Sequence, residues 1–275
     1  MTDINKFRKE YERRYARKFC HVNGISECPN KEKCTCKIAA EIKSHLKTII
    51  ASPYYNYTID DFTGKYKGKE LLSRSIAIKA KEQLVKYCWG DDMELVDFNS
   101  LNEKQRDEKS VIDLRRKQGQ HIVVSAGTSD FSIGLKNKSG KTFIAALVMR
   151  EAIKRKGFPG HQSVTYAWTQ FPMLEYRIKH DDPSLTYAMS ADWLVVDDIM
   201  SSAQTRAAEA YISSIINPFF FERMQSGLPT ILVFRFDISQ MADLALEEKF
   251  GVAISKMLKD SRTTKIFLSE QNGDK

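Results

Sequence analysis

One seven-residue stretch constrains this chain more than any other. Lys136-Asn-Lys-Ser139-Gly140-Lys141-Thr142 follows an apolar run at 131–135 and opens a helical pattern that continues to about Lys156. A strand that turns through small residues into a helix leaves the first helical N–H groups without partners inside the helix. Together with the positive end of the helix dipole, they point at whatever sits in the loop. An amine in the first turn adds a charge for phosphate oxygens, and the hydroxyl beside it adds an oxygen ligand for magnesium. Ser139, Gly140, Lys141 and Thr142 are therefore candidates for holding ATP with Mg2+. The full pattern asks for glycine five residues before Gly140. That position is Leu135, and Gly134 stands one residue too early.

A second motif supports the first. Trp193-Leu-Val-Val-Asp197-Asp198-Ile199 is an apolar run that ends in two acids, with one strand and its helix between it and Lys141. A buried strand of this kind delivers carboxylates to the edge of a sheet. Asp197 is placed to coordinate magnesium and Asp198 to polarise an attacking water, because phosphoryl transfer asks mainly for charge neutralisation and positioning. Apolar runs at 121–125, 131–135, 163–168, 193–197 and 230–234 alternate with helical segments. That alternation predicts an α/β fold with a mainly parallel sheet.

The first half of the chain is organised differently. Ile4, Phe7, Tyr11, Tyr15 and Phe19 recur at helical spacing, and so do Ile38, Ile42, Leu46 and Ile49. Ser52-Pro53 interrupts the pattern before an aromatic, polar stretch with Gly64 and Gly68. The expected organisation is a helical N-terminal domain over 1–55, a linker with leading helices over 56–120, and an ATP-binding domain over 121–275. Cys20, Cys28, Cys34 and Cys36 cluster between the two helical patterns, which points to a structural Zn2+ rather than to disulfides. His21 and His45 are alternates for the fourth ligand. A metal also suits a small domain that has little core of its own. Cys88 lies apart, on a helix, and reads as core.

Net charge is +8, and the first fifty residues hold twelve Lys or Arg against six Asp or Glu. Such an excess favours polyanions through counterion release. Candidate basic clusters are Lys136 with Lys138, Lys154-Arg155-Lys156 and Arg115-Arg116-Lys117, although lysine at a helix C-terminus also follows from the dipole alone. No run approaches the length of a membrane span, and the charged N-terminus lacks the apolar stretch of a secretory signal. The expected setting is cytoplasmic, with no membrane partner.

Several further stretches resemble one family. Val195-Val-Asp-Asp-Ile199, Phe221-Glu-Arg-Met224, Gly227-Leu-Pro-Thr-Ile231 and Phe236-Asp237 look like the core of the DnaC/DnaI replicative helicase loaders, a group of AAA+ ATPases that also includes the transposition ATPase IstB. The likeness covers roughly residues 120–270. Cys28-Pro29 and Cys34 extend it to the zinc-binding N-terminal domain of those loaders. The resemblance implies an AAA+ P-loop NTPase fold preceded by a small helical zinc domain that grips a hexameric replicative helicase. It also implies ATP and single-stranded DNA as ligands, and self-association through AAA+ interfaces.

Two positions depart from the family where turnover is concerned. The strand after Pro229 usually ends in an asparagine that senses the γ-phosphate, and Arg235 stands there instead. A later helix usually supplies arginine to the neighbouring subunit's ATP. The matching segment offers Lys256, which lacks the planar fork of arginine, with Arg262 nearby. With Leu135, these departures lead to an expectation of ATP binding with slow or absent hydrolysis. Two other readings fit the motifs: an IstB-like transposition ATPase, and a degenerate AAA+ module that regulates a helicase without turnover. A small-molecule kinase fits the loop but not the paired acids followed by the Leu-Pro-Thr strand.

Overall fold

A computed structural model describes residues 35–50, 54–63, 65–66, 69–70, 72–126, 140–155, 163–200, 206–239 and 241–268. The helices are α1 (Thr35–Ile49), α2 (Arg74–Trp89), α3 (Glu103–Lys109), α4 (Ile112–Lys117), α5 (Lys141–Lys154), α6 (Phe171–Lys179), α7 (Ser184–Ser190), α8 (Arg206–Gln225) and α9 (Asp243–Lys259). The strands are β1 (Lys65–Tyr66), β2 (Lys69–Glu70), β3 (Ile122–Ser125), β4 (Tyr166–Gln170), β5 (Trp193–Ile199), β6 (Thr230–Phe234) and β7 (Thr264–Phe267). β1 and β2 form a small antiparallel hairpin, and the other five make one parallel sheet in the order β4-β5-β6-β3-β7.

Both faces of a parallel sheet must be covered, so its central strands carry side chains that suit burial on either side. β3 and β6 are buried throughout. Their side chains alternate between two cores. Ile122, Val124, Trp193, Val195, Ile231 and Val233 meet α5, α2 and α1 on one face, and Val123, Leu194, Val196, Leu232 and Phe234 meet α6, α7, α8 and α9 on the other. α5 is sandwiched between the sheet and the leading helices, so it is apolar nearly all round rather than along one stripe. α1 and the residue that follows it bury Ile42, Leu46 and Ile50 in the core that α5 builds. This is an α/β fold in which helices cover both faces of a parallel sheet, with β3 flanked by β6 and β7.

The 121–125, 163–168, 193–197 and 230–234 runs correspond to β3, β4, β5 and β6, with one strand missed, and the 131–135 run lies outside the described residues. β7 escapes the reading because it is four residues long, sits at the sheet edge and carries Lys265 on its exposed side. The charged 97–120 region resolves into α3 and α4, each short and followed closely by the next turn.

Two polar side chains set the start of the sheet. His121 Nδ1 accepts the Thr230 amide at 3.1 Å, and the His121 carbonyl accepts the Thr264 amide at 3.0 Å, so one residue aligns the beginnings of β6 and β7 with β3. Arg223 is fully buried at the end of α8. It donates to the carbonyls of Ala188, Met189, Ala191 and Pro229 at 2.8–3.0 Å and to Thr230 Oγ1 at 3.1 Å. Its fork thus satisfies the open C-terminal carbonyls of α7 and fixes the turn into β6. Burial pulls its pKa down to about 9, which still leaves it charged at neutral pH. Among the described residues, no helix is long and apolar enough to cross a membrane.

Arg223→Lys keeps the charge but strands several buried carbonyls. Urea unfolding is expected to show a loss of about 3 kcal/mol, and a loss under 0.5 kcal/mol would remove Arg223 from this role. Burial also lowers His121 to about 4, from an ordinary histidine value of 6.5. A histidine depressed on folding stabilises the fold above pH 6.5, and that stability falls as pH drops through about 4. Asp107, raised to about 6 by burial, acts with the opposite sign over an overlapping range, so the test is a comparison of variants. His121→Asn keeps an acceptor near the Thr230 amide and should remove about 3 kcal/mol of pH-dependent stability between pH 7 and 4. Equal pH slopes in the two proteins would contradict this account.

Candidate nucleotide site

In open parallel sheets, ligands bind outside the carboxyl ends of the strands. That edge is where the motif residues meet. Gly140 is the N-cap of α5 with φ 84°, a left-handed conformation that costs glycine nothing, and a Cβ here would press on the Phe62 ring at 3.4 Å. Lys141 and Thr142 form the first turn of α5. The Thr142 hydroxyl makes a long hydrogen bond, 3.4 Å, to Asp197 Oδ1 at the end of β5. Lys141 is buried at the same place. Burial lowers its pKa to about 8, while the Asp197 and Asp198 carboxylates act in the opposite direction. Burial raises the pKa of Asp197, against the lowering effect of bonds from the Asp198 amide and Thr142.

Consecutive acids on a regular strand would point to opposite faces. β5 avoids this with a bulge. Trp193 and Val195 face α5 and Leu194 and Val196 face away, which puts Asp197 toward α5, where Thr142 meets it. Strict alternation would return residue 199 to the α5 face. Ile199 instead lies in the opposite core, and the β5–β6 register shifts between Val196 and Ile199. Asp198 is therefore the extra residue of the bulge. Its φ of 61° is rare for a residue other than glycine, although aspartate tolerates it better than most. The bulge leaves Asp198 at the strand end, with its amide bonded to Asp197 Oδ1 at 2.8 Å.

β6 brings the remaining group. Ile231 and Val233 face α5, Leu232, Phe234 and Phe236 face away, and Arg235 falls on the α5 side by the same period. Its amide donates to the Ile199 carbonyl at 2.9 Å, past the bulge. Its guanidinium grips both oxygens of Asp198: Nε donates to Oδ1 at 2.6 Å, and Nη2 donates to Oδ2. These bonds raise the Arg235 pKa further above its ordinary value. Residues far apart in sequence thus become one cluster: Gly140, Lys141, Thr142, Asp197, Asp198 and Arg235.

Other predicted residues stand elsewhere. Lys256 is near the C-terminal end of α9, which leads into the start of β7, so it lies toward the opposite edge of the sheet. Its amine sits 5.2 Å above the Phe221 ring. Arg262 is clasped by Asp260 and donates to the Gln118 carbonyl at 3.2 Å. Ser139, Lys136, Lys138, Cys20, Cys28 and Cys34 lie outside the described residues. Cys36 falls on α1, but its side chain is outside them. Among the described residues, no cluster of His, Cys, Asp or Glu suits a metal by itself. Cys88 is buried, as expected of a core thiol.

Of the five described basic residues considered for nucleic acid, four are committed inside the molecule. Lys154 is buried, with its amine 2.9 Å from Glu103 and 3.3 Å from Glu151. Arg155 pairs with Asp113, Arg116 pairs with Asp192, and Arg115 holds the last carbonyls of α2. A feature not singled out from the sequence stands beside Gly140. Phe143 packs against Tyr54, Tyr57 and Phe62, with ring centroids 5.3–5.9 Å apart, and Tyr57 is partly exposed. Its signal was the aromatic content of 54–68, read only as a domain boundary.

No protein-family model matches the chain, and no curated protein matches it. Among solved structures it is similar to the DnaC helicase loader, with 16% identity over 80% of this chain and all of that one, and a TM-score of 0.47. It is similar to DnaI with 17% identity, 70% and 92% coverage, and a TM-score of 0.38. AMPPCP-bound DnaA from Aquifex aeolicus shares 15% identity over 60% of this chain and 47% of that one, also with a TM-score of 0.38. Scores under 0.5 at such identities carry no functional argument, so the site has to be read from its own geometry.

Proposed function

We propose that this chain is an AAA+ protein that binds Mg-ATP and acts as a loader of a replicative helicase onto single-stranded DNA. The observation that carries the nucleotide reading is the meeting of Thr142 and Asp197 at the carboxyl edge of the sheet, beside buried Lys141. A hydroxyl and a carboxylate 3.4 Å apart are hard oxygen donors, which suits magnesium, an ion that takes few protein ligands and keeps its waters. Held there by Thr142 and Asp197, the ion would supply positive charge to offset that of the phosphates.

The chain's own groups supply the rest. Lys141 offers its ammonium to phosphate oxygens, whose charge would offset the burial that now weakens its proton. The α5 amides, opened by the left-handed Gly140, face the same place. Tyr57, Phe62 and Phe143 supply an aromatic surface for the base. Asp198 is the group that would orient the attacking water, and Arg235 holds both of its oxygens. That pairing supports slow or absent hydrolysis, and it favours a second reading in which binding of ATP, rather than its turnover, carries the function.

The helicase assignment rests on the sequence resemblance over 195–199, 221–224 and 227–231. The structure gives those residues physical work: Arg223 and Thr230 join α7, α8 and β6. In this reading a structural zinc held by Cys20, Cys28, Cys34 and Cys36 shapes an N-terminal helicase-binding domain within 1–55. Lys256 faces a neighbouring subunit in an ATP-dependent assembly.

Fluorescent ATP titrations test the site. Lys141→Ala and Asp197→Asn should each weaken binding about ten- to hundredfold, with the Asp197 effect confined to magnesium-containing buffer. Unchanged affinity in Lys141→Ala would defeat the reading. Size-exclusion with light scattering, on the chain mixed with its host's replicative helicase with and without ATP, tests the partner. A stable joint complex is expected. No complex, but ATP-dependent growth on duplex DNA, would instead indicate a transposition ATPase.

A further inference from the structure

The Arg235–Asp198 pair occupies the two positions on which hydrolysis would depend. One is the carboxylate next to Asp197, and the other is the residue that follows β6, whose backbone pairs with Ile199 past the bulge. The pair is two-pronged, so each carboxylate oxygen already accepts a bond from the guanidinium, which offsets the charge on Asp198. It is also accessible: the side chains keep 28% and 32% exposure, so the guanidinium has room to leave. Asp198 is held in the bulge by backbone geometry, whereas Arg235 reaches it on a long, rotatable stem. When the pair opens, it is the arginine that moves.

Resting on the ATP-binding reading, we propose that Arg235 is a γ-phosphate-responsive latch. Without nucleotide it neutralises Asp198. A third phosphate competes for the guanidinium, draws it off and leaves the carboxylate free. ADP, lacking that phosphate, leaves the latch shut. In the hydrolysis so permitted, the oxygen of water forms a bond to the γ-phosphorus while the bond from that phosphorus to the β,γ-bridging oxygen breaks. The electron pair of the broken bond stays on ADP, and one water proton passes to the Asp198 carboxylate, which returns it to solvent. The latch makes the chain distinguish ATP from ADP through a residue that also limits its turnover.

Two variants test this through nucleotide affinity as well as rate. Asp198→Asn suits the left-handed backbone and so should fold. It weakens the grip on Arg235, so ATP should bind about tenfold more tightly while ADP affinity stays the same, a difference worth one charge-assisted bond. Arg235→Asn should lose ATP-over-ADP preference by a similar factor and hydrolyse bound ATP faster than the wild type in single-turnover measurements. Arg235→Lys, a point charge without the fork, should fall between them. The latch is overturned if Asp198→Asn changes ATP and ADP affinity equally, or if Arg235→Asn slows single-turnover hydrolysis, which would make Arg235 a promoter of the reaction. If the wild type binds neither nucleotide, the ATP-binding reading itself fails. If it binds both and the variants leave their ratio untouched, only the latch fails.

Discussion

The bond from Thr142 to Asp197 joins the first turn of one helix to the end of one strand, and much of the architecture serves to bring those ends together. Thr142 can reach only because α5 lies flat on the sheet, and α5 lies flat because Ile144, Leu147, Val148 and Ile153 are buried between the sheet and the leading helices. Asp197 faces it because the period-two alternation of β5 is still in phase at that residue. One residue later the phase is broken. The bulge spends a strained backbone conformation at Asp198 to keep a second carboxylate at the same edge. Strain that persists at one residue of a buried strand needs support from its neighbours, and the Ile199–Arg235 backbone bond and the Arg235 fork give it.

The electrostatics of the cluster follow from this geometry. A lysine and two carboxylates drawn out of water would be costly if unmatched. The fourth group, Arg235, balances the count: two cations against two anions. Phosphates entering such a site add negative charge, so the balance holds only if a cation turns toward them or magnesium arrives with them. The depressed proton affinity of Lys141 and the raised affinity of Asp197 have the same cause, removal of charge from water, and charge added next to them relieves it.

Much of this was legible in the sequence, because the signals were periodic or chemically unusual. A Gly-Lys-Thr at a helix start and an apolar strand ending in two acids each named its place. The bulge was not legible. Nothing in Val195-Val-Asp-Asp-Ile199 distinguishes a straight strand from one with an extra residue, since the choice is made by pairing with β6. The fate of the basic clusters was equally hidden. Lys154, Arg155 and Arg116 read as a solvated face until Glu103, Asp113 and Asp192, distant in sequence, come to lie against them. β7 was missed because an edge strand of four residues has too few buried positions to show a period.

Thermal unfolding of the full chain with ATP, ADP or neither, with and without magnesium, tests the central claim most directly. A ligand that binds only the folded state raises stability by mass action, about 2.7 kcal/mol at a hundredfold excess over its dissociation constant. The account predicts a rise in Tm of several degrees with Mg-ATP, and a smaller one when magnesium is chelated or when Lys141 is replaced by alanine. An unchanged Tm under saturating Mg-ATP, in a chain that unfolds cooperatively, would contradict it.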